Sequence, residues 1–224
     1  MPQKKSKKIL IYFFLFLIIG TLNNKNLSNI NLIKIKDITV TGLDNENNLE
    51  LLRQLDILKI NNLFFLSDYK IKEILNSNNL IENYFVFKEY PSKLNVKINK
   101  AIYLARIKKF EKYFFLGSNG KLIEVKDIES DLPLLFGNFE NEDFFELKKI
   151  LDKKNFDYNK IENLFFFKSG RWDIQINDGL LIKLPKKNFE KSIDILNNFL
   201  EKDKENKITL IDLRQSNQII INER

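Results

Sequence analysis

The spacing of apolar and polar positions divides the chain into one long charge-free run and a series of short elements. Residues 9–22 are apolar or uncharged throughout, a run of 14. As a helix it would reach about 21 Å, against roughly 30 Å of bilayer hydrocarbon. Residues 35–41 predict a strand, stopped by Gly42-Leu43-Asp44-Asn45. Leu49, Leu52 and Leu55, with Leu51 beside them, predict a short helix over 46–56. Ser67 caps a second helix carrying Ile71, Ile74 and Leu75. Strands follow at 81–88 and 93–99, joined by Tyr90-Pro91-Ser92. In the second, Leu94, Val96 and Ile98 alternate with Lys93, Asn95 and Lys97, the period of a sheet buried on one face. The result is a small α+β module.

Beyond it the pattern turns to a larger mixed sheet with flanking helices. Strands are predicted at 104–107, 113–116 and 121–125, with a turn at Ser118-Asn119-Gly120. Leu132-Pro133-Leu134-Leu135-Phe136-Gly137 reads as an extended connector. Phe144, Leu147 and Leu151 place a helix over 142–154, and strands follow at 161–168 and 172–176. Asn177-Asp178-Gly179 makes a hairpin turn into 180–184. Phe189, Ile193, Leu196 and Leu200 form one face of a helix, and strands at 208–214 and 218–222 close the chain. The fold class is therefore α+β: tail 1–8, apolar helix 9–24, small domain 33–101 and larger β domain 102–224.

Charge gives the amino terminus its meaning. The net charge is +7, yet residues 1–36 hold seven Lys and no acid, so the body balances 30 basic against 30 acidic residues. A nucleic-acid interface needs its basic excess on a folded face, and the body has none to give. Four Lys (Lys4, Lys5, Lys7 and Lys8) precede the apolar run and Lys25 follows it. The run has signal-peptide length, but no small-x-small cleavage site follows and no Ala occurs before Ala101. Cleaved signal and uncleaved anchor both remain open; the missing site favours an uncleaved single span. The Lys cluster predicts an amino terminus in the cytoplasm and the body outside.

Chemistry is searched for with little return. His and Cys are absent, which excludes imidazole triads, thiolate metal sites and disulfides. Ser67-Asp68-Tyr69-Lys70 matches S-x-x-K without its companion motifs, and Ser67 is accounted for as a helix cap. Asp44, Glu46 and Asn48 start a calcium-loop pattern that fails at Leu49 and Leu55. Asp127, Glu129 and Asp131 cluster as a solvated loop. No nucleotide loop is present. The sequence predicts no enzyme, no cofactor, no metal and no small-molecule substrate.

One segment suggests binding. Gln218-Ile219-Ile220-Ile221-Asn222 is β-prone and free of Pro, Gly and charge, guarded only by Glu223 and Arg224. At a sheet edge it is a template for an added strand; the alternative is an interior strand paired on both sides.

The order of pieces, and several motifs in that order, resemble the FtsQ/DivIB family of bacterial division proteins. Ile38-Thr39-Val40-Thr41-Gly42 is similar to the opening of a POTRA module, and Tyr90-Pro91-Ser92-Lys93-Leu94-Asn95-Val96-Lys97-Ile98 to its closing hairpin. Asn99-Lys100-Ala101-Ile102 lacks the Glu and Pro of the family pattern. Phe115-Leu116-Gly117-Ser118-Asn119-Gly120, the 132–137 stretch, Arg171-Trp172-Asp173-Ile174 and Ile211-Asp212-Leu213-Arg214 then follow in order. The resemblance implies a non-enzymatic divisome component of the inner membrane, single-pass, with its body in the periplasm at the septum. It implies a POTRA module that aids recruitment and a β domain that holds the FtsB/FtsL pair by strand addition. The implied partner residues are Arg214, Gln215, Ser216, Asn217, Gln218, Ile219, Ile220 and Ile221, with Arg171 and Trp172 on the same face. The alternative reading is a POTRA-containing envelope adaptor in outer-membrane protein assembly or secretion.

Overall fold

The computed structural model describes residues 5–21, 34–124, 131–202, 208–215 and 218–223. Helix α1 (Lys5–Thr21) has 17 residues and carries the apolar run. At about 1.5 Å per residue it rises about 26 Å. Among the described residues no helix is long and apolar enough to cross a membrane. Lys4 and positions 22–24 lie outside the described residues.

The first domain runs β1 (Asp37–Thr41), α2 (Asn45–Leu55), α3 (Asp68–Ser77), β2 (Ile81–Glu89) and β3 (Lys93–Lys100). Its sheet has the order β1-β3-β2, with β1 parallel to β3 and β2 antiparallel to it. Local chemistry explains the boundaries. Asp44 accepts the Asn47 N–H at 3.0 Å and Ser67 accepts the Tyr69 N–H at 3.3 Å, so both helices begin on a side-chain cap. Gly42 ends β1 at φ +115°, where a Cβ would stand 1.9 Å from the Ile98 carbonyl oxygen; only glycine fits. Leu94, Val96 and Ile98 are buried beneath the helices, as their alternation predicts.

The leucine stripe of α2 differs from the expected one. Leu49 is exposed, whereas Leu51 and Leu55 are buried and Leu58 continues the same face through a 3₁₀ turn (Asp56–Ile60). The spacing i, i+4, i+7 outranks the Leu49–Leu52 pair because it keeps one face against the sheet past the helix end.

The second domain is a single nine-stranded mixed sheet backed by two helices. Its strands are β4 (Tyr103–Lys109), β5 (Lys112–Gly117), β6 (Leu122–Glu124), β7 (Leu134–Phe136), β8 (Ile161–Phe166), β9 (Trp172–Ile176), β10 (Leu181–Lys183), β11 (Ile208–Asp212) and β12 (Ile220–Glu223). They lie in the order β12-β11-β10-β9-β8-β7-β4-β5-β6. Helix α4 (Asn141–Lys153) crosses from β7 to its parallel neighbour β8, and α5 (Phe189–Lys202) from β10 to its parallel neighbour β11. Both helices share one core: Phe144, Leu147, Ile193 and Leu196 pack with Ile174, Ile182 and Ile211. The face carrying Asp173, Gln175, Lys183 and Asp212 is the opposite one, since side chains alternate along each strand.

The 132–137 stretch is the chief correction to the sequence reading. It is not a connector: β7 inserts between β4 and β8, parallel to both. Only three residues pair, flanked by Pro133 and Gly137, too few for a period to register. Burial of Leu135 holds the strand in place, and Gly137 at φ +107° brings the chain so close to the Phe166 carbonyl that a Cβ would lie 2.1 Å from it.

The two domains are clasped by polar contacts. Asn119 Nδ2 donates to the carbonyls of Asn79 and Ile81, each at 2.9 Å. Lys121 Nζ donates to the Asn76 and Asn78 carbonyls at 2.6 and 3.1 Å, placing a cation where the α3 carbonyls end. Asn79 Nδ2 returns a bond to the Leu122 carbonyl at 2.8 Å, and Ser118 Oγ donates to Glu82 at 2.6 Å. Only Ala101 and Ile102 separate β3 from β4. The turn that the sequence marks at 118–120 thus fixes the angle between domains.

Asn119→Ala removes two donated bonds, about 1–2 kcal/mol of coupling. Spin labels on cysteines placed at exposed Lys72 and Lys149 should give a narrow distance distribution in the parent chain and a broad one in Asn119→Ala and Lys121→Ala. An unchanged width in both would show that the clasp does not set the angle.

Candidate interface at the carboxyl-terminal sheet edge

Cross-strand register organises this region. Ile107, Leu135, Leu164, Ile174, Ile182, Ile211 and Ile221 stand side by side across successive strands from β4 to β12. One position along, on the face away from the helices, runs Phe136, Phe165, Asp173, Lys183, Asp212 and Ile220. β12 is outermost and pairs only with β11. Its Ile220 is 49% exposed, and Ile219 and Ile221 are exposed beside it.

The other three sheet edges are poorer templates. β6 has three residues, and its Leu122 carbonyl already accepts from Asn79. β1 opens on a charge and exposes only polar side chains, Asp37, Thr39 and Thr41. β2 is long but bears Glu82, Lys88 and Glu89, the charges that guard an edge. β12 carries one charge, Glu223 at its carboxyl end, and none at Ile220, Ile221 and Asn222.

The charged residues beside β12 form a row. Asp212 accepts from the Arg214 backbone N–H at 3.0 Å, from its Nε at 2.9 Å and from its Nη2 at 2.5 Å. Those bonds hold the Asp212 carboxyl below its ordinary range and the Arg214 guanidinium above its own. Asp173 is buried, and burial pushes its carboxyl up; Arg171, Lys183 and Arg214 pull the other way. Lys183 stands between the two aspartates in the register and favours the ionised form of each. Arg171 Nε donates to Asp173 Oδ1 at 3.3 Å, and its guanidinium lies 4.1 Å from the Phe167 ring centroid.

The structure sorts the sequence candidates. Arg171 and Arg214 converge on the charged row, and Arg214, Gln215 and Gln218 line a groove of about 320 Å³ with Lys187, Lys191 and Ile195 of the α5 end. The Gln218 N–H approaches the Gln215 carbonyl at 3.5 Å across the turn into β12. Ser216 and Asn217 lie outside the described residues. Trp172 does not face outward: it is 4% exposed and packs on Phe139 and Phe166, with ring centroids 5.5 and 4.8 Å away. It sits on the helix side of β9, one residue out of phase with Asp173, so it supports the strand and presents no side chain to a partner. Asp173 and Lys183 escaped the sequence reading. Each is the one charge in a short apolar strand, a weak signal that gains meaning only when register brings the strands together.

Elsewhere, Ser67 is engaged as a cap and Asp44 accepts from Asn47. Among the described residues no group of three acidic side chains could hold a metal; Asp127 and Glu129 lie outside them.

These features define a two-domain protein in which a strand–helix–helix–strand–strand module precedes a helix-backed sheet with an open terminal strand. Known families carry the assignment further. The FtsQ-type POTRA domain matches residues 33–100, and the carboxyl-terminal domain of cell division protein FtsQ/DivIB matches 105–214. Cell division protein FtsQ of Rickettsia bellii is 27% identical over 193 residues, covering 84% of this chain and 72% of its own. Cell division protein DivIB of Clostridium tetani is 26% identical over 165 residues, 74% of this chain and 56% of its own. The extracytoplasmic domain of DivIB from Geobacillus stearothermophilus superposes on 45% of this chain and 91% of that one, at 17% identity and a TM-score of 0.34. The chain belongs to the FtsQ/DivIB family of cell-division proteins. It is a divisome component of a family that works through protein–protein contacts. The region matched by the carboxyl-terminal family model ends at Arg214, before β12.

Asp212 and Asp173 act oppositely on stability with pH. A carboxyl held below the ordinary 3.8 contributes stability that is full above its unfolded value and lost as pH falls through the lower folded value. Asp173, pushed up by burial, favours the folded state below its unfolded value and loses that contribution as pH rises through the folded one. Asp212→Asn should therefore melt lower than the parent at pH 7 and lose less of its melting temperature between pH 6 and pH 3. Parallel acid profiles for the two would show that the Arg214 pair contributes no net stability.

Proposed function

We propose that this chain is a single-span inner-membrane component of the divisome that holds an FtsB/FtsL-type partner by strand addition along β12. The unpaired edge of β12, with Ile220 and Ile221 exposed in it and Ile219 exposed just before it, is the observation that carries this reading. A strand added there would continue the apolar row at Ile221 on the helix side and meet Ile220 on the other. A partner segment with an apolar residue at every second position fits that register. Arg214, at the Asp212 end of the charged row beside β12, favours an acidic group next to that segment; Arg171 holds the far end of the row at Asp173, three strands in.

The anchor is α1, with Lys4, Lys5, Lys7 and Lys8 setting a cytoplasmic amino terminus and a periplasmic body. Its charge-free run is short for a span; snorkelling Lys7 and Lys8 and local thinning of the bilayer would have to close a gap of about 9 Å. Confinement of both partners to one membrane raises effective concentration, so a modest interface suffices. No bond is made or broken; the action is capture and positioning at the septum.

Successive N–H groups of an antiparallel strand point alternately to its neighbour and to the open side. Of Ile220→Pro and Ile221→Pro, one therefore removes an N–H aimed at β11 and the other an N–H aimed at the free edge. The second should fold as the parent does, by circular dichroism and melting, yet bind the extracytoplasmic part of an FtsB-type partner at least about tenfold more weakly. Parental affinity in both folded variants would overturn strand addition.

A further inference from the structure

The first domain bears an apolar surface that its own core does not use. Phe65 is 87% and Ile60 72% exposed, and Ile57, Phe64 and Tyr90 are exposed around them. The Phe64 and Tyr90 rings lie 4.5 Å apart, joining the loop before α3 to the β2–β3 turn. Ile57 and Ile60 line a groove of about 530 Å³ with Ile74 at the ends of α2 and α3. This surface surrounds the place where the chain arrives from α1. Lys34 bridges to Asn62, the Ile35 N–H donates to the Asn61 carbonyl at 3.3 Å, and the Lys36 N–H to the Ser92 carbonyl at 2.8 Å.

We propose that this face lies on the bilayer that holds α1, its aromatic and aliphatic side chains in the headgroup region of anionic phospholipid. The inference rests on the reading of α1 as a membrane anchor. Three observations select lipid over another occupant. Only 12 residues, 22–33, join Thr21 to Lys34, so the face is tethered within about 40 Å of the helix end. The exposed set is Phe, Tyr and Ile, the side chains that partition to the membrane–water boundary. The charges beside it carry a cationic excess: Lys34 and Lys36 border it, Asp56 is neutralised by Lys59 at 2.9 Å, and Lys70 and Glu73 line the groove together. Binding by this face would stand the β domain away from the membrane through the rigid clasp at Asn119 and Lys121.

The test uses the full chain reconstituted in vesicles of phosphatidylethanolamine and phosphatidylglycerol. The sequence has no Cys, so Phe65→Cys, Ile60→Cys and, at the fully exposed β4–β5 turn, Phe110→Cys each accept one environment-sensitive fluorophore. The labels at positions 65 and 60 should be quenched by doxyl lipid and shielded several-fold from aqueous iodide, the one at 110 the reverse. Replacing phosphatidylglycerol by neutral lipid should weaken the lipid quenching. If the chain survives an alkaline wash on the vesicles but labels 65 and 60 are as open to iodide as 110, the inference is wrong. Shielding from both quenchers would also overturn it, since protein would then cover the face. A chain washed off the vesicles would remove the anchor reading and this inference together.

Discussion

Main-chain pairing across the large sheet stops at β12, and the interface follows from that stop. Every strand from β11 to β5 has a neighbour on both sides. β12 has one neighbour. Its position is imposed from inside: the β10–α5–β11 crossover buries Ile193 and Leu196 against Ile182 and Ile211, which fixes β11, and β12 folds back on it antiparallel. A one-residue slip of β12 would swap Ile221 with its neighbours and break the apolar row that begins at Ile107. Register, more than side-chain identity, decides what a partner strand would meet.

The same register assembles the charges. Asp173, Lys183 and Asp212 come from three strands, and Arg171 and Arg214 reach the row from residues just outside β9 and β11. Paired charges at a partly covered edge add little stability when exposed and more when a partner excludes water. In the proposed reading the row would act as a selector beside a main-chain template that is itself indifferent to sequence. At the opposite end of the molecule the clasp of Asn79, Asn119 and Lys121 ties the first domain to the same sheet.

Much of this was legible in the sequence. The alternation in β3, the cap at Ser67, and the Asn177-Asp178-Gly179 turn each declare a local structure through residues a few positions apart. The unguarded Gln218-Ile219-Ile220-Ile221 segment declares a strand suited to an edge. The rest was not legible because it is non-local. β7 is three residues long and becomes a strand only between β4 and β8. Leu49 yields to Leu51 because the face is chosen by the sheet beneath. Trp172 stands beside Arg171 in sequence but faces the other way, as neighbours on a strand do. The polar clasp uses Asn and Lys, residue types abundant along the whole chain, and nothing in their spacing marks the ones that bridge domains.

The most direct measurement is amide hydrogen exchange on residues 218–223 of the full-length chain, with and without the extracytoplasmic segment of an FtsB-type partner. Strand addition predicts strong new protection of alternate amides in β12, with β6 and β2 unchanged. Binding that leaves the β12 amides exchanging at their free rates would contradict the account.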